Sequence, residues 1–344
     1  MRYAAFALLL SLFGCTRHPN TVITPAFFYW QTHLQLTTTQ QAYLRQLQIH
    51  TLYVRFFDVD WDPQHQDAVP LAETRIDTQG LAGLTIVPCI FITNHTLEQL
   101  PVGQIPQLAE RILKKTAALQ QQAPQLSIQK ILLDCDWTTG TRDAFFTLTQ
   151  WLQRTLHAQG KQLEVTIRLH QFRYPNITGV PTADRGMLMC YNTGDLESWA
   201  TTNSIYQQAD VQPYLEGTDT YPLPLQLAVP AFRWGVVFRN QRLVRLIHQL
   251  DATNLTDTTR FDRIADNRFF VKKSTYLDGY YLYQGDRIRL ESTGIPEMES
   301  AIRLMKPILS QSDSCTIAVF HLDTTLVQTI SHASMASFFS KARQ

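Results

Sequence analysis

The chain has 344 residues and a formal net charge of +1; 44% of the residues are hydrophobic, 11% aromatic and 17% charged. That balance excludes disorder for most of the chain, which needs low hydrophobicity and high charge, and a near-neutral chain gives no electrostatic reason to expect nucleic acid as a partner. Five cysteines in a chain of this length do not make a disulfide scaffold.

Residues 1–14 read as an export signal. Arg2 supplies the positive end, and residues 4–13 form an almost unbroken apolar run about half as long as a spanning helix needs. Leu12-Phe13-Gly14-Cys15 then resembles the bacterial lipobox, which implies cleavage before Cys15 and lipidation of its sulfur. The alternative is an ordinary secretory signal with an incidental cysteine. Residues 15–25 are the expected lipidated cysteine and tether, and residues 26–344 the body. Two or three acyl chains suffice for stable anchoring. The expected location is the cell envelope, outside the cytoplasm, with the outer membrane favoured if the host has one.

The body alternates between β-rich runs and amphipathic stretches. Strands are predicted over residues 26–31, 51–61, 84–93, 130–138, 164–172, 185–193, 225–234 and 315–323. Helices are predicted over 39–47, 105–122, 141–159 (capped by Thr141), 296–309 and 325–341. Eight strands in this order predict a (β/α)8 TIM barrel. An open doubly wound sheet is the competitor, but there is no GxGxxG, P-loop or GxSxG motif. Residues 235–294, after strand seven, form a predicted small β-rich insertion, with a hairpin over 280–290.

Period-two alternation assigns faces. Ile131, Leu133 and Cys135 point to the helices and Asp134 and Asp136 into the barrel. Val165, Ile167 and Leu169 point out, and Thr166, Arg168 and His170 in. Barrel interiors are normally aliphatic. Inward Asp, Arg and His are therefore either a salt-bridge network or a ligand site that includes one. Asp58 and Asp60, at the end of strand two, are a second acidic pair that reads equally well as a solvated loop. Trp30, Tyr191, Trp234 and Phe320 fall near strand ends, where flat rings suit sugar faces or the core. Cys89, Cys135, Cys190 and Cys315 read as buried apolar residues. Arg233, Arg239, Arg242 and Arg245 read as a solvated basic face. No His pair has ligand spacing and there is no CxxC, so neither a metal nor a cofactor is expected.

Three segments carry a family resemblance. Leu133-Asp134-Cys135-Asp136-Trp137 resembles the DxDxE strand of family-18 (chitinase-like) glycoside hydrolases, Met189-Cys190-Tyr191-Asn192 their sixth-strand MxYD, and the segment 318–323 their eighth-strand sugar floor. More broadly, the chain resembles a group of bacterial lipoproteins with a glycosidase-like barrel, from which no activity carries over. The departures bear on chemistry. The family's acid is a Glu where this chain has Thr138, which cannot donate a proton as a carboxylic acid does. The family's sixth-strand Asp is Asn192, and its eighth-strand Trp is Phe320.

The resulting expectation is a membrane-anchored barrel that binds a carbohydrate, with hydrolysis left open. Asp136 and Asp134 are the catalytic candidates, with Asp58 or Asp60 across the mouth as a second acid. Arg168, His170, Tyr191, Asn192, Trp234, Phe320 and Trp30 are the substrate-binding candidates. A catalytically silent glycan-binding barrel and an envelope-assembly lipoprotein are the alternatives.

Overall fold

A computed structural model describes residues 21–218 and 220–344. The predicted signal, Cys15 and residues 16–20 of the predicted tether lie outside the described residues, and residues 22–25, expected as tether, belong to the first strand. Eight strands form one closed cylinder: β1 (Val22–Tyr29), β2 (Thr51–Asp62), β3 (Thr85–Ile92), β4 (Lys130–Asp134), β5 (Gln162–Arg168), β6 (Arg185–Met189), β7 (Leu225–Pro230) and β8 (Ser314–Phe320). Every neighbouring pair is parallel, and β1 closes the ring by pairing with both β8 and β2. Strands packed on both faces need near-continuous apolar runs, and β3 (TIVPCIFI) and β7 (LQLAVP) have them.

The helices ring this cylinder. Ile105–Gln121 buries Leu108, Ile112 and Leu119 along one stripe, and Arg142–His157 buries Phe145, Leu148, Leu152 and Leu156 along another. Helix Thr38–Gln46 begins at a reciprocal cap, in which Gln40 N–H donates to Thr37 Oγ1 and Thr37 N–H donates to Gln40 Oε1. Thr141 departs from its expected capping role. Its hydroxyl donates to Asn94 Oδ1 (2.7 Å) and accepts from Thr138 N–H, so it joins loops instead of capping the helix. Among the described residues no helix separates β2 from β3; a strand at Asp67–Leu71 folds back antiparallel on β2. The expected last helix is two, Thr324–Thr329 and His332–Ala342, capped by Asp323 and Ser331.

The parity expectation holds within the ladders. Ile131, Leu133, Cys135, Val165, Ile167 and Leu169 join the core between strands and helices. Trp137 lies fully buried there, stacked on Phe145 at 5.1 Å, with its indole N–H on Thr178 O. An indole of this kind contributes about 5 kcal/mol of transfer free energy. The four cysteines are buried free thiols.

The insertion after β7 is a five-stranded antiparallel sheet in the order Arg242–His248, Arg233–Arg239, Arg287–Ser292, Arg268–Val271, Phe261–Ala265. Residues 280–290 do not form the predicted hairpin. Tyr280–Leu282 pairs with Thr275–Leu277, while Arg287–Ser292 runs into the main sheet between two other strands. The chain does turn at Tyr283–Asp286, where Asp286 N–H donates to Tyr283 O (3.0 Å), but buried Asp286 takes a paired bond from Arg239 (2.8 and 2.9 Å), and the segment after it pairs with Arg233–Arg239 instead of with Tyr280–Leu282.

Candidate functional site

The lower half of the barrel is closed by a buried polar plug. Glu164 Oε1 accepts from Lys130 Nζ and from Gln226 Nε2 (both 2.7 Å), and Tyr53 Oη sits 2.9 Å from Glu164 Oε2. Sequence reading missed these residues, although Glu164 stands two places before inward-facing Thr166 and parity marks it. With the bottom closed, access is from the C-terminal mouth, where barrels of this type place their chemistry.

That mouth holds a cavity of about 760 Å³, within the range of ligand sites. Its walls are aromatic. Tyr191 and Phe320 stack at 4.9 Å, and Phe320 also meets Phe232 at 5.7 Å and Trp30 at 5.8 Å. Its floor is polar, with Asp58, Asp134 and Arg168; Asn192, His248, His321 and Asp323 lie on the rim and walls. Burial pushes the Tyr191 phenol well above its ordinary range, so it stands as a neutral hydroxyl.

Asp134 ends β4 and points inward as expected. It is 6% exposed, and Thr166 Oγ1 donates to its Oδ1 at 2.8 Å. Burial pushes its carboxyl up to about 6; Arg168 opposes that, and the Asp136 and Asp58 charges add to it. Asp136 departs from expectation. The β4 ladder stops at Asp134, so parity no longer governs the chain two residues on. Its carboxylate, 44% exposed, is gripped by Arg168 through Nε and through Nη2 (2.9 Å), and it does not line the main cavity. It faces a smaller adjoining cavity with His170, Thr193 and Tyr214.

His170 is likewise off the predicted strand. Arg168 N–H donates to Gln171 Oε1 at 2.7 Å, which ends β5 and starts a short helix, Leu169–Arg173; His170 is exposed on it. Asp58 does reach the main cavity, tied to Arg55 in a two-bond pair. Asp60 does not: its carboxylate accepts from Thr93 Oγ1 at 2.6 Å and from Trp61 N–H. In the basic stretch Arg233 is 19% exposed and pairs with Asp251 beside the cavity, whereas Arg239, which pairs with Asp286, stays 38% exposed.

Trp234 lines the cavity from the insertion sheet, not from β7, which ends at Pro230. Its indole N–H donates to Glu291 Oε2 at 2.7 Å. Glu291 also accepts from Ser204 Oγ (2.6 Å) and from Arg289 Nε (2.5 Å). The Arg289 and Glu291 side chains are both 0% exposed, and the guanidinium reaches Ser198 O and Leu196 O in the loop after β6. This clamp ties the insertion to the barrel and fixes the Trp234 ring. Thr138, in the slot of the family acid, is turned away from the cavity: its Oγ1 accepts from Gly140 N–H, and its backbone N–H is held by Thr141.

No protein-family model and no curated protein matches the sequence. Solved structures do. A chitinase from Chromobacterium violaceum ATCC 12472 aligns over 92% of this chain and 99% of its own, with a TM-score of 0.54 at 13% identity. The C-terminal domain of a putative chitinase from Desulfitobacterium hafniense DCB-2 aligns over 94% and 100% (0.55, 11%). A spore cortex-lytic enzyme from Bacillus megaterium QM B1551 aligns over 90% and 73% (0.52, 11%). The fold is a closed (β/α)8 barrel similar to that of these chitinases.

Proposed function

We propose that this barrel binds a glycan at its C-terminal mouth, without the turnover chemistry of chitinases. One observation carries the reading: the aromatic faces of Trp30, Tyr191, Phe232 and Phe320 converge over a floor of carboxylates and a guanidinium. Sugars offer apolar CH faces to rings and hydroxyls to charged acceptors, so a site of this composition matches both halves of a pyranose. Two contacts speak for binding without chitinase-type hydrolysis. Thr138 spends its side chain on its own turn, and Asp136 is occupied by Arg168. The test is a tryptophan-fluorescence titration with soluble oligosaccharides, chitin-derived ones first because chitinases are among the structural neighbours. Saturable binding, weakened roughly three- to tenfold in Phe320→Ala, with no shortened product after prolonged incubation, is expected. Absence of binding by every oligosaccharide overturns the reading.

We also propose that the chain is anchored through lipidated Cys15 in the cell envelope. The support is the short apolar run and the Leu12-Phe13-Gly14-Cys15 sequence. Cys15→Ser is expected to move the protein from the membrane to the soluble fraction; unchanged fractionation refutes the anchor.

A further inference from the structure

The charges around the cavity do not balance. The guanidiniums that line it are each committed to a carboxylate: Arg55 to Asp58, Arg168 to Asp136 and Arg233 to Asp251. Asp134 and Asp323 are left without a cation of their own. Asp323 takes Gln249 Nε2 at 3.0 Å and Leu326 N–H at 2.6 Å, and its nearest basic group is His321 at 3.8 Å. Burial lowers the affinity of His321 for a proton, so that imidazole is no counter-ion at neutral pH. Asp134 is more exceptional. Thr166 serves its Oδ1, but Oδ2 receives no hydrogen bond from the protein, on a residue that is almost wholly buried and lines the cavity. Oδ2 is not sealed in by the protein but opens to the cavity, and a carboxylate oxygen with no protein donor is costly once a ligand expels the water there.

We propose that this oxygen receives an ammonium: the cavity selects a glycan carrying an unsubstituted amino sugar over its N-acylated counterpart, and rejects uronic acids. This deepens the glycan-binding reading above and rests on it. An ammonium brings both the missing donor and the missing charge, and in a site from which the ligand expels water both count for more than in solvent. A neutral sugar supplies only the hydroxyl donor. A uronate adds a third unmatched carboxylate beside Asp134 and Asp323.

Opposite pH responses follow. The groups facing Asp134 are Asp58 from β2, Cys89 from β3, Cys135 and Asp136 on its own segment, Thr166 and Arg168 from β5, and Tyr191 after β6. The thiols and the phenol stay neutral, and Arg168 stays charged. The titrating group is then Asp134, which burial already holds near 6. A neutral glycan desolvates it further and takes up a proton on binding, so its affinity falls as pH rises past 6. An amino glycan favours the carboxylate and releases that proton at acid pH, where its own amine is already an ammonium, so its affinity grows from about pH 5 until the amine itself begins to lose its proton near neutrality.

The experiment is isothermal titration calorimetry on the intact protein with tetramers of glucosamine, N-acetylglucosamine and galacturonic acid. Each is run at pH 5.5 and 7.0, in two buffers of different ionisation enthalpy. The glucosamine tetramer is expected to bind about tenfold tighter than the N-acetylated one at pH 7.0, the scale of one charge-assisted hydrogen bond, and to release protons at pH 5.5, where its amines are already charged. In Asp134→Asn that preference is expected to vanish. Equal or tighter binding of the N-acetylated or uronate tetramer, proton uptake with the amino tetramer at pH 5.5, or a preference that survives Asp134→Asn overturns the proposal. Binding of neutral tetramers without the preference refutes it alone, and absence of all binding refutes the glycan reading as well. Proton release is read on the wild-type chain, so the result does not depend on the variant folding.

Discussion

Asp134→Asn is expected to stabilise the protein at neutral pH and to have little effect at acid pH. The carboxyl is held near 6 in the folded chain, against about 4 when the chain is unfolded. The folded state therefore holds the proton more tightly than the unfolded state does. Below about pH 4 both states are protonated and the residue contributes nothing to the pH dependence. Between about 4 and 6 the unfolded state loses its proton first, and the native state is progressively disfavoured. Above 6 the cost is constant, at about 3 kcal/mol for a shift of about two units. Asparagine mimics the protonated carboxyl: its Oδ1 still accepts from Thr166, and it carries no charge into the buried floor. Urea unfolding at pH 7.5 and 4.0, followed by tryptophan fluorescence, checks the sign. The variant should be more stable by about 3 kcal/mol at the higher pH and within about 0.5 kcal/mol of wild type at the lower. A variant destabilised at both pH values, or stabilised equally at both, would refute the assignment of a strained, ligand-facing carboxyl. A chain that retains such a group against its own stability does so for what the group binds.

Three further outcomes follow from the buried ion pairs and the Thr138 turn. Arg289→Met leaves Glu291 buried without a counter-charge and frees the carbonyls of Ser198 and Leu196, so a loss of about 3–5 kcal/mol is expected in denaturant unfolding; a change under about 1 kcal/mol contradicts the clamp. Lys130→Met strips Glu164 of its cation at the barrel bottom and should cost a similar amount, with glycan affinity at the distant mouth unchanged within error. Thr138→Glu restores the family carboxyl in name only. The Thr138 side chain is built into its own turn, so no hydrolysis of chitin-derived oligosaccharides should appear by reducing-end assay, and turnover would show that this loop reorganises.

Legibility along the chain tracks the hydrogen-bond ladder. Inside β4 and β5, alternation placed Asp134, Thr166 and Arg168 inward and Val165 and Ile167 outward, because adjacent side chains on a pleated strand must face opposite ways. The same rule carried two residues further misplaced Asp136 and His170. The last pairings, Phe91 with Asp134 and Arg168 with Met189, are where the pleat ends. Beyond them a side-chain amide, Gln171 on the Arg168 N–H, redirects the backbone, and a bond of that kind leaves no periodic trace. Trp234 failed for a related reason. An apolar run that reads as one strand is two, broken after Pro230, and the second belongs to another sheet.

The amino-acid order alone determined eight β-segments and, for the fourth and fifth, their inward and outward faces and their polar character. These depend on neighbours one to four residues apart. The closed cylinder decided the rest: which guanidinium meets which carboxylate, that one Arg168 stands beside both Asp134 and Asp136, and that a distant Glu291 holds the Trp234 ring against the cavity. The Arg168–Asp136 and Trp234–Glu291 contacts join residues 32 and 57 positions apart, and only the barrel's closure and the docking of the insertion bring them within hydrogen-bond reach.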